Sequence, residues 1–591
     1  MKILLSGDEA VARGAWEAGC LVAAAYPGTP STEILEAIAA HYPEINSRWT
    51  ANEKVALEVA GGACIGGVRA LAAMKHVGLN VAADPLMTLA YTGVRGGLVV
   101  VSADDPGCHS SQNEQDNRHY AVLAKMLMLE PADSQECLEY TKAAFELSER
   151  FDCPVLLRMT TRVCHSKGLV KVGQRMPEAP IRPYERDVKK YAMLPAFARL
   201  RHAAIEEKLK LAEEFAAHSA FNRIEWNADK KIGVITSGVA YQHAREAFGD
   251  SVSYLKLGLT YPLPSKLIST FARAVDKLYI VEEGDPYLET AVRALGFDCL
   301  GKELVPILGE LDAGLLRRVF LPDNPVKPLL SPIMPPPRPP VLCPGCPHRG
   351  IMHVLGRKKK DLVVCGDIGC YTLGVQPPLE ALDTTICMGA GFSAAIGMAE
   401  ALKAAGDPRK VVGMLGDSTF FHSGLTGLVD AIHSQANLCL YILDNSITAM
   451  TGHQENPGTA RDLMGRPAPA LDLAKIVGGL GLSEDRIIQI DPLNKEAVEA
   501  SLEGALAREG LTVIIAQRPC VLIKEIRATF TKKCQVDPDK CKKCKMCLKV
   551  GCPAVSFQDG HSHIDQPSCL GCEYCLQVCK FDAISVKETS K

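Results

Sequence analysis

Eight cysteines fall within residues 541–591 of this 591-residue chain, in two runs. They read Cys541-x2-Cys544-x2-Cys547-x4-Cys552-Pro553 and Cys569-x2-Cys572-x2-Cys575-x3-Cys579. Three thiolates on one tight loop can hold three corners of an iron–sulfur cube, while the fourth cysteine of each run serves the other cube. The spacing predicts one [4Fe–4S] cluster on Cys541, Cys544, Cys547 and Cys579, and a second on Cys569, Cys572, Cys575 and Cys552. Zinc also uses Cys-x2-Cys pairs, but a third cysteine at x2 and a remote fourth fit a closed four-ligand site poorly. A disulfide framework does not suit a long chain without a signal peptide. Ala554-Val555-Ser556 after the first run recurs as Ala583-Ile584-Ser585 after the second, a duplicated half-unit of cluster loop, short helix and strand. Two features depart from the common spacing: x4 before Cys552, and Lys580 in place of a proline after Cys579.

A second chemistry lies upstream. The apolar run 411–415 ends in Gly416-Asp417-Ser418, and the apolar run 438–443 ends in Asp444-Asn445, 28 positions after Asp417. Both side chains then emerge at the carboxyl edge of parallel strands, where open α/β sheets bind ligands. A carboxylate and an amide oxygen there suit Mg²⁺ carrying a substrate's phosphates. Gly-Asp, a gap of this size, then Asn is the thiamine diphosphate signature, with the Ile447 carbonyl as third protein ligand. Gly416 and Ser418 flank the carboxylate, Ser418 standing where glycine is common. Gly389-Ala390-Gly391 precedes a helix through 394–402, and its free backbone amides are expected to hold diphosphate oxygens. The competing reading is an ordinary Gly-Asp turn with an unrelated asparagine.

Elements must bring these groups together. Residues 1–184 alternate short apolar runs (21–25, 70–74, 98–102) with Gly/Ala-rich helical stretches, the rhythm of a parallel α/β domain. Residues 185–229 are polar with charges at helical spacing and no strand signal, a helical connector. A smaller α/β domain spans 230–330, with strands at 231–238 and 277–283. A proline-rich linker, 331–340, leads to an α/β domain at 341–530 with strands near 411–415, 438–443 and 511–516, and the cysteine-rich module takes 531–591. Hydrophobic residues make up 47% and charged residues 23%, ordinary for a globular protein. A net charge of -3 does not predict nucleic-acid binding, and no apolar run approaches a membrane span. With 23 cysteines and no export signal, a reducing cytoplasm is expected, and oxygen-sensitive clusters favour an anaerobic host.

Taken in order, Tyr26-Pro27-Gly28-Thr29-Pro30-Ser31-Thr32, Ala51-Asn52-Glu53-Lys54, Ser111-Gln112-Asn113-Glu114-Gln115-Asp116, Cys343-Pro344-Gly345-Cys346-Pro347-His348-Arg349, Gly416-Asp417…Asn445, Met450-Thr451-Gly452-His453-Gln454 and the terminal cysteine runs resemble the 2-oxoacid:ferredoxin oxidoreductases, most closely the large subunits of their indolepyruvate branch. The resemblance covers essentially the whole chain; His453 stands where relatives mostly read glycine. It implies two thiamine-diphosphate-binding-type doubly wound parallel-sheet domains, a smaller transketolase C-terminal-like α/β domain between them, and a C-terminal bacterial-type α+β 2[4Fe–4S] ferredoxin domain. It implies oxidative decarboxylation of an aryl 2-oxoacid to an aryl-acetyl-CoA, with ferredoxin as electron acceptor, coenzyme A as second substrate and a smaller β subunit in an α2β2 assembly.

The resemblance also assigns residues. Glu53 becomes the carboxylate that hydrogen-bonds the cofactor's aminopyrimidine, against the plain reading of a helix-start cap. Thr29 faces the 2-oxoacid carboxylate or the cofactor, against that of a proline-bracketed turn residue. His76 and His109 are left outside the catalytic set. Cys343, Cys346, Cys370 and Cys520 match cysteines that hold a cluster beside the thiamine in related enzymes, so they are candidates for a third cluster; the alternative is a relic, zinc or redox pair plus two buried thiols. Two other functions stay open: the same chemistry on pyruvate, 2-oxoglutarate or a branched-chain acid, and an electron-transfer subunit with a degenerate thiamine site.

Overall fold

A computed structural model describes residues 1–177, 180–320 and 334–588. The chain forms two compact units, Met1–Ile333 and Met334–Lys591. Of the linker, 331–333 lie outside the described residues, and 334–340 are exposed and without regular secondary structure.

The first unit is built on a seven-stranded sheet ordered Leu259–Tyr261, Leu127–Leu129, Val155–Thr160, Leu98–Asp104, Ala70–Lys75, Val22–Ala25, Asn46–Trp49. All neighbours are parallel except the first pair. Strands such as Leu98–Asp104 are buried at every residue, which is why they read as continuous apolar runs without alternation. A four-stranded sheet follows, ordered Lys277–Val281, Ile232–Ser237, Ser253–Leu257, Arg223–Glu225.

Two expectations need correction here. The segment 185–229 holds the long helix Pro195–His218, but it also contributes the strand Arg223–Glu225, antiparallel to Ser253–Leu257. Three residues are too few for a periodicity to show. The boundaries at 184 and 230 also do not separate cores. Leu57, Met74, Leu98 and Met128 pack in one buried cluster with Ile235, Leu255, Phe271 and Ile280, and Leu259–Tyr261 extends the first sheet. A buried charge joins the same parts: Arg118 donates to Glu282 at 2.6 Å and to the Glu283 carbonyl at 2.8 Å.

The second unit centres on a six-stranded parallel sheet ordered Thr384–Thr385, Leu362–Gly366, Lys410–Gly416, Cys439–Asp444, Thr512–Gln517, Ile487–Ile490. Alternate residues feed opposite cores: Val412, Met414, Tyr441 and Ile514 on one face, Val411, Leu415, Leu440 and Ile515 on the other. After Leu362–Gly366 the chain adds a strand to its left, then one to its right. The carboxyl ends of Leu362–Gly366 and Lys410–Gly416 therefore border a switch-point crevice, the usual ligand position in such sheets.

Residues 532–588 form a small module in the same unit. Lys532–Val536 pairs antiparallel with Ile584–Glu588, and Val555–Gln558 with His561–Ile564. Short helical turns, Met546–Val550 and Tyr574–Val578, follow the two cysteine loops. Thiols supply much of its interior: Cys534, Cys547, Cys569 and Cys575 pack with Ala554, Ile564 and Ile584. Among the described residues, no helix is long and apolar enough to cross a membrane.

Candidate functional site

Asp417 begins the helical turn after Lys410–Gly416, and Asn445 follows Cys439–Asp444; both are buried. The Asn445 side-chain amide stands 3.1 Å from Asp417 Oδ1 and 2.7 Å from the Ile447 carbonyl oxygen. Two oxygens thus converge on one amide end. With a cation between them, the Asn445 oxygen would join the Asp417 and Ile447 oxygens as a third ligand. Burial, with the Asp444 carboxylate adding to it, pushes Asp417 up to about 7, against the Asn456 amide that donates to Oδ2 at 3.0 Å. A divalent ion among these oxygens offsets that penalty, so the donor set fits Mg²⁺. Thr448 Oγ1 donates to Ser418 Oγ at 2.9 Å, which ties the two strand-end loops together. His453 has φ +70°, in the left-handed region that glycine favours.

The expected role of the Gly389-Ala390-Gly391 amides is not supported. Gly389 N and Gly391 N donate to the Asp367 carboxylate at 3.0 and 2.7 Å, and Ala390 N donates to the Cys387 carbonyl at 3.1 Å. None is left to meet a diphosphate. The glycines answer to packing instead: a Cβ at Gly391 would stand 2.1 Å from the Met414 carbonyl, and one at Gly389 2.3 Å from Ser423 Oγ. Gly416 likewise lies against Tyr371, whose hydroxyl accepts its N–H at 3.0 Å. Asp367, at the end of Leu362–Gly366, went unnoticed in the sequence because a second Gly-Asp pair carries no spacing signal of its own.

The structure gathers the thiols into three sets. Cys541, Cys544, Cys547 and Cys579 line one cavity with Ser562 and Phe581. Cys552, Cys569, Cys572 and Cys575 line a second, which Cys534, Pro344, Gly345 and Arg349 also border. Cys534 escaped sequence reading because it sits alone on a strand. The third set comes from three separate stretches. Burial pushes the Cys346 thiol up to about 12, with Cys370 and Cys343 adding to it against Arg349. Burial, then the Cys520 and Cys343 thiols, pushes Cys370 up to about 11. Cys520 is also raised, by burial first, with Cys343 contributing. Cys343 and Cys370 are thus each electrostatic neighbours of the other three, while Cys346 and Cys520 are linked only through them. Tetrahedral zinc, with Zn–S near 2.3 Å, holds its sulfurs roughly 3.8 Å apart. Among the described residues, the three-ligand groups whose donor atoms lie within 4.8 Å of one another contain no cysteine.

In the first unit, Glu53 opens the helix Glu53–Ile65, but Asn52 caps it, its side chain accepting from Val55 N at 2.9 Å. The buried Glu53 carboxylate lies against Gly78 instead; a Cβ there would stand 2.6 Å from Oε1. Thr29 is half-buried, and its carbonyl faces Ser110 Oγ at 3.4 Å. Lys75, which closes the apolar strand Ala70–Lys75, reaches the same place: its ammonium donates to the Ser110 carbonyl at 2.9 Å, and its stem runs alongside Gly28. Burial lowers its pKa, against the nearby Asp105 and Glu53 carboxylates. A lysine ending an otherwise buried alanine-rich strand was the available signal, and it was missed. His76 is buried, with Nε2 3.1 Å from the Asn113 carbonyl, and His109 pairs with Glu310 at 3.2 Å, half-exposed.

Residues 13–230 match the family model "Pyruvate flavodoxin/ferredoxin oxidoreductase, thiamine diP-bdg", and 367–516 match "Thiamine pyrophosphate enzyme, C-terminal TPP binding domain". The chain is similar to "Indolepyruvate oxidoreductase subunit IorA" of Methanothermobacter thermautotrophicus, at 40% identity over 99% of this chain and 97% of that protein. The namesake from Methanothermobacter marburgensis is 41% identical over the same shares, and that from Archaeoglobus fulgidus 39%.

Proposed function

The chain belongs to the indolepyruvate oxidoreductase IorA family, and on that premise we propose that it is the thiamine-diphosphate-dependent catalytic subunit of a 2-oxoacid:ferredoxin oxidoreductase acting on aryl pyruvates, indolepyruvate first among them. The products are an aryl-acetyl-CoA, CO2 and reduced ferredoxin. A smaller β subunit, coenzyme A and external ferredoxin complete the reaction, in an α2β2 assembly.

When bound, thiamine diphosphate supplies a carbon acid that adds to a keto group, and [4Fe–4S] clusters supply one-electron storage. The chain's own residues do the rest. Asp417, Asn445 and the Ile447 carbonyl hold Mg²⁺ and through it the diphosphate. Asn456 keeps the Asp417 carboxylate turned toward the metal. Glu53 takes the proton-relay position toward the aminopyrimidine, and Thr29 lies on the substrate side. Cys541, Cys544, Cys547 and Cys579 hold one cluster, Cys552, Cys569, Cys572 and Cys575 the second, in a ferredoxin-like module. Cys343, Cys346, Cys370 and Cys520 hold a third.

One observation carries this reading. Pro344 and Gly345, between two thiols of the third set, line the cavity of the second set. Cys370 and Cys520 follow strands of the sheet whose ends bear Asp417 and Asn445. Thiol sites therefore run from the oxygen ligands into the module without leaving the second unit, an arrangement suited to removing electrons one at a time. A degenerate electron carrier would not need the oxygen set. The test is anaerobic ferredoxin reduction with indolepyruvate, phenylpyruvate, pyruvate and 2-oxoglutarate, with and without coenzyme A and the partner subunit. Fastest turnover on the aryl acids supports the reading; no reduction with any acid by a chain replete in thiamine and iron refutes it.

A further inference from the structure

We propose that Lys75 binds the carboxylate of the 2-oxoacid substrate. The inference rests on the oxidoreductase reading above and adds a contact that reading does not contain.

A 2-oxoacid brings a carboxylate beside the reacting carbon, and a partly desolvated site must answer that charge with a cation or several donors. Lys75 is placed to do so. Ala70, Leu71, Ala72, Ala73 and Met74 are fully buried, so the strand delivers the lysine to its carboxyl edge with little freedom. The stem passes Gly28, where an added Cβ would meet Cγ and Cδ at 3.3 Å. The ammonium donates to the Ser110 carbonyl at 2.9 Å, and Ser110 Oγ contacts the Thr29 carbonyl at 3.4 Å. Lys75 thus stands beside the Thr29 loop while remaining an electrostatic neighbour of Glu53.

Its charge is not spent on a partner. An ammonium has three donors, and one is engaged by Ser110. Among the described residues, Lys75 forms no ion pair within 4.0 Å. The Asp105 carboxylate nearby is committed elsewhere: Oδ2 accepts from Ser110 N at 2.8 Å and Ser111 Oγ at 2.6 Å, and Oδ1 from Thr161 Oγ1 at 2.8 Å. A half-buried cation kept from its nearest acid carries a standing desolvation cost, which an incoming carboxylate relieves. A salt link of lysine with a neighbouring acid would have used the same charge; here the serines and threonine hold that acid away.

The test uses the assembled enzyme and the variants Lys75→Met and Lys75→Arg. Losing one partner of a largely desolvated charge pair costs about 30-fold or more. Lys75→Met should raise KM for phenylpyruvate by about that factor, with iron content and thiamine affinity at wild-type levels, and Lys75→Arg should recover part of it. Phenylpropanoate, which carries the carboxylate but cannot react, should bind wild type and not Lys75→Met by calorimetry. An unchanged KM with retained phenylpropanoate binding overturns the proposal. So does a fall in kcat alone, which would make Lys75 a partner of Glu53. A wild type that turns over no 2-oxoacid removes the underlying reading as well, and is distinguishable because no variant is needed to see it.

Discussion

His353 Nδ1 stands 3.0 Å from the Tyr574 hydroxyl, buried inside the second unit. Tyr574 lies between Cys572 and Cys575, and His353 is on the helix His348–Arg357 that follows Cys346. The hydroxyl in turn approaches the Gly350 carbonyl at 3.3 Å, so it donates there and accepts from the imidazole. His353 Nε2 is left buried without a hydrogen-bond partner. Burial, aided by Arg357 and Lys495, lowers its pKa to about 4.

That histidine sets a pH dependence. An unfolded histidine takes up its proton near pH 6.5, whereas His353 in the fold does so only near 4. Between these values the unfolded chain binds more protons, so stability falls as pH falls through the window. The expected loss from pH 7 to pH 5 is about 1 to 2 kcal/mol from this group. Urea midpoints of wild type and His353→Gln at the two pH values check it; an equal drop in both clears His353 of the effect.

Asp417→Ala should weaken Mg²⁺-dependent thiamine diphosphate binding by about 100-fold or more, and Asn456→Ala by roughly 10-fold, since the residue behind a metal ligand tunes affinity by about 10- to 100-fold. Titration of cofactor by fluorescence quenching measures both. Unchanged affinity in Asp417→Ala would end the metal assignment.

Iron analysis decides the third thiol set. Two four-iron clusters give about eight irons per chain and three give about twelve. Cys343→Ala should bring a twelve-iron protein to about eight while Cys541→Ala affects a different electron paramagnetic resonance signal. Cys572→Ala should slow ferredoxin reduction more than substrate decarboxylation, which pre-steady-state kinetics separates.

Glu53→Gln should keep iron and most cofactor but lose about 10²- to 10⁴-fold in turnover, the usual range for a lost general acid–base group. Gly78→Ala offers an independent check, because its methyl would meet Glu53 Oε1 at 2.6 Å and displace the carboxylate. Wild-type rates in both variants would take Glu53 out of the mechanism.

Much of the site was readable from residue types because its chemistry depends on local spacing. Cys579 lines the cavity of the first cysteine run and Cys552 that of the second, and Asp417 and Asn445 follow adjacent strands. What stayed hidden depends on partners distant in the chain. Nothing near Gly389 tells that Asp367 takes the amides. Nothing in the run Ala70–Met74 tells that Lys75 ends beside Ser110. Cys370 and Cys520 are separated by 150 positions and follow different strands of the second sheet, so no local spacing links them. The strand Leu259–Tyr261 was hidden because three residues carry no periodicity.

That short strand decides where the gene can be cut. Leu259 pairs with Leu129 and Tyr261 with Met128, covering what would be the open side of the first sheet. The thiamine-binding family match stops at residue 230, yet a polypeptide ended there would lose both this cover and the apolar surface supplied by Ile235, Leu255 and Phe271. Its bare sheet margin would template pairing with other copies. Truncations meant to isolate the amino-terminal half should therefore extend past residue 320, or they will yield aggregates in place of a domain.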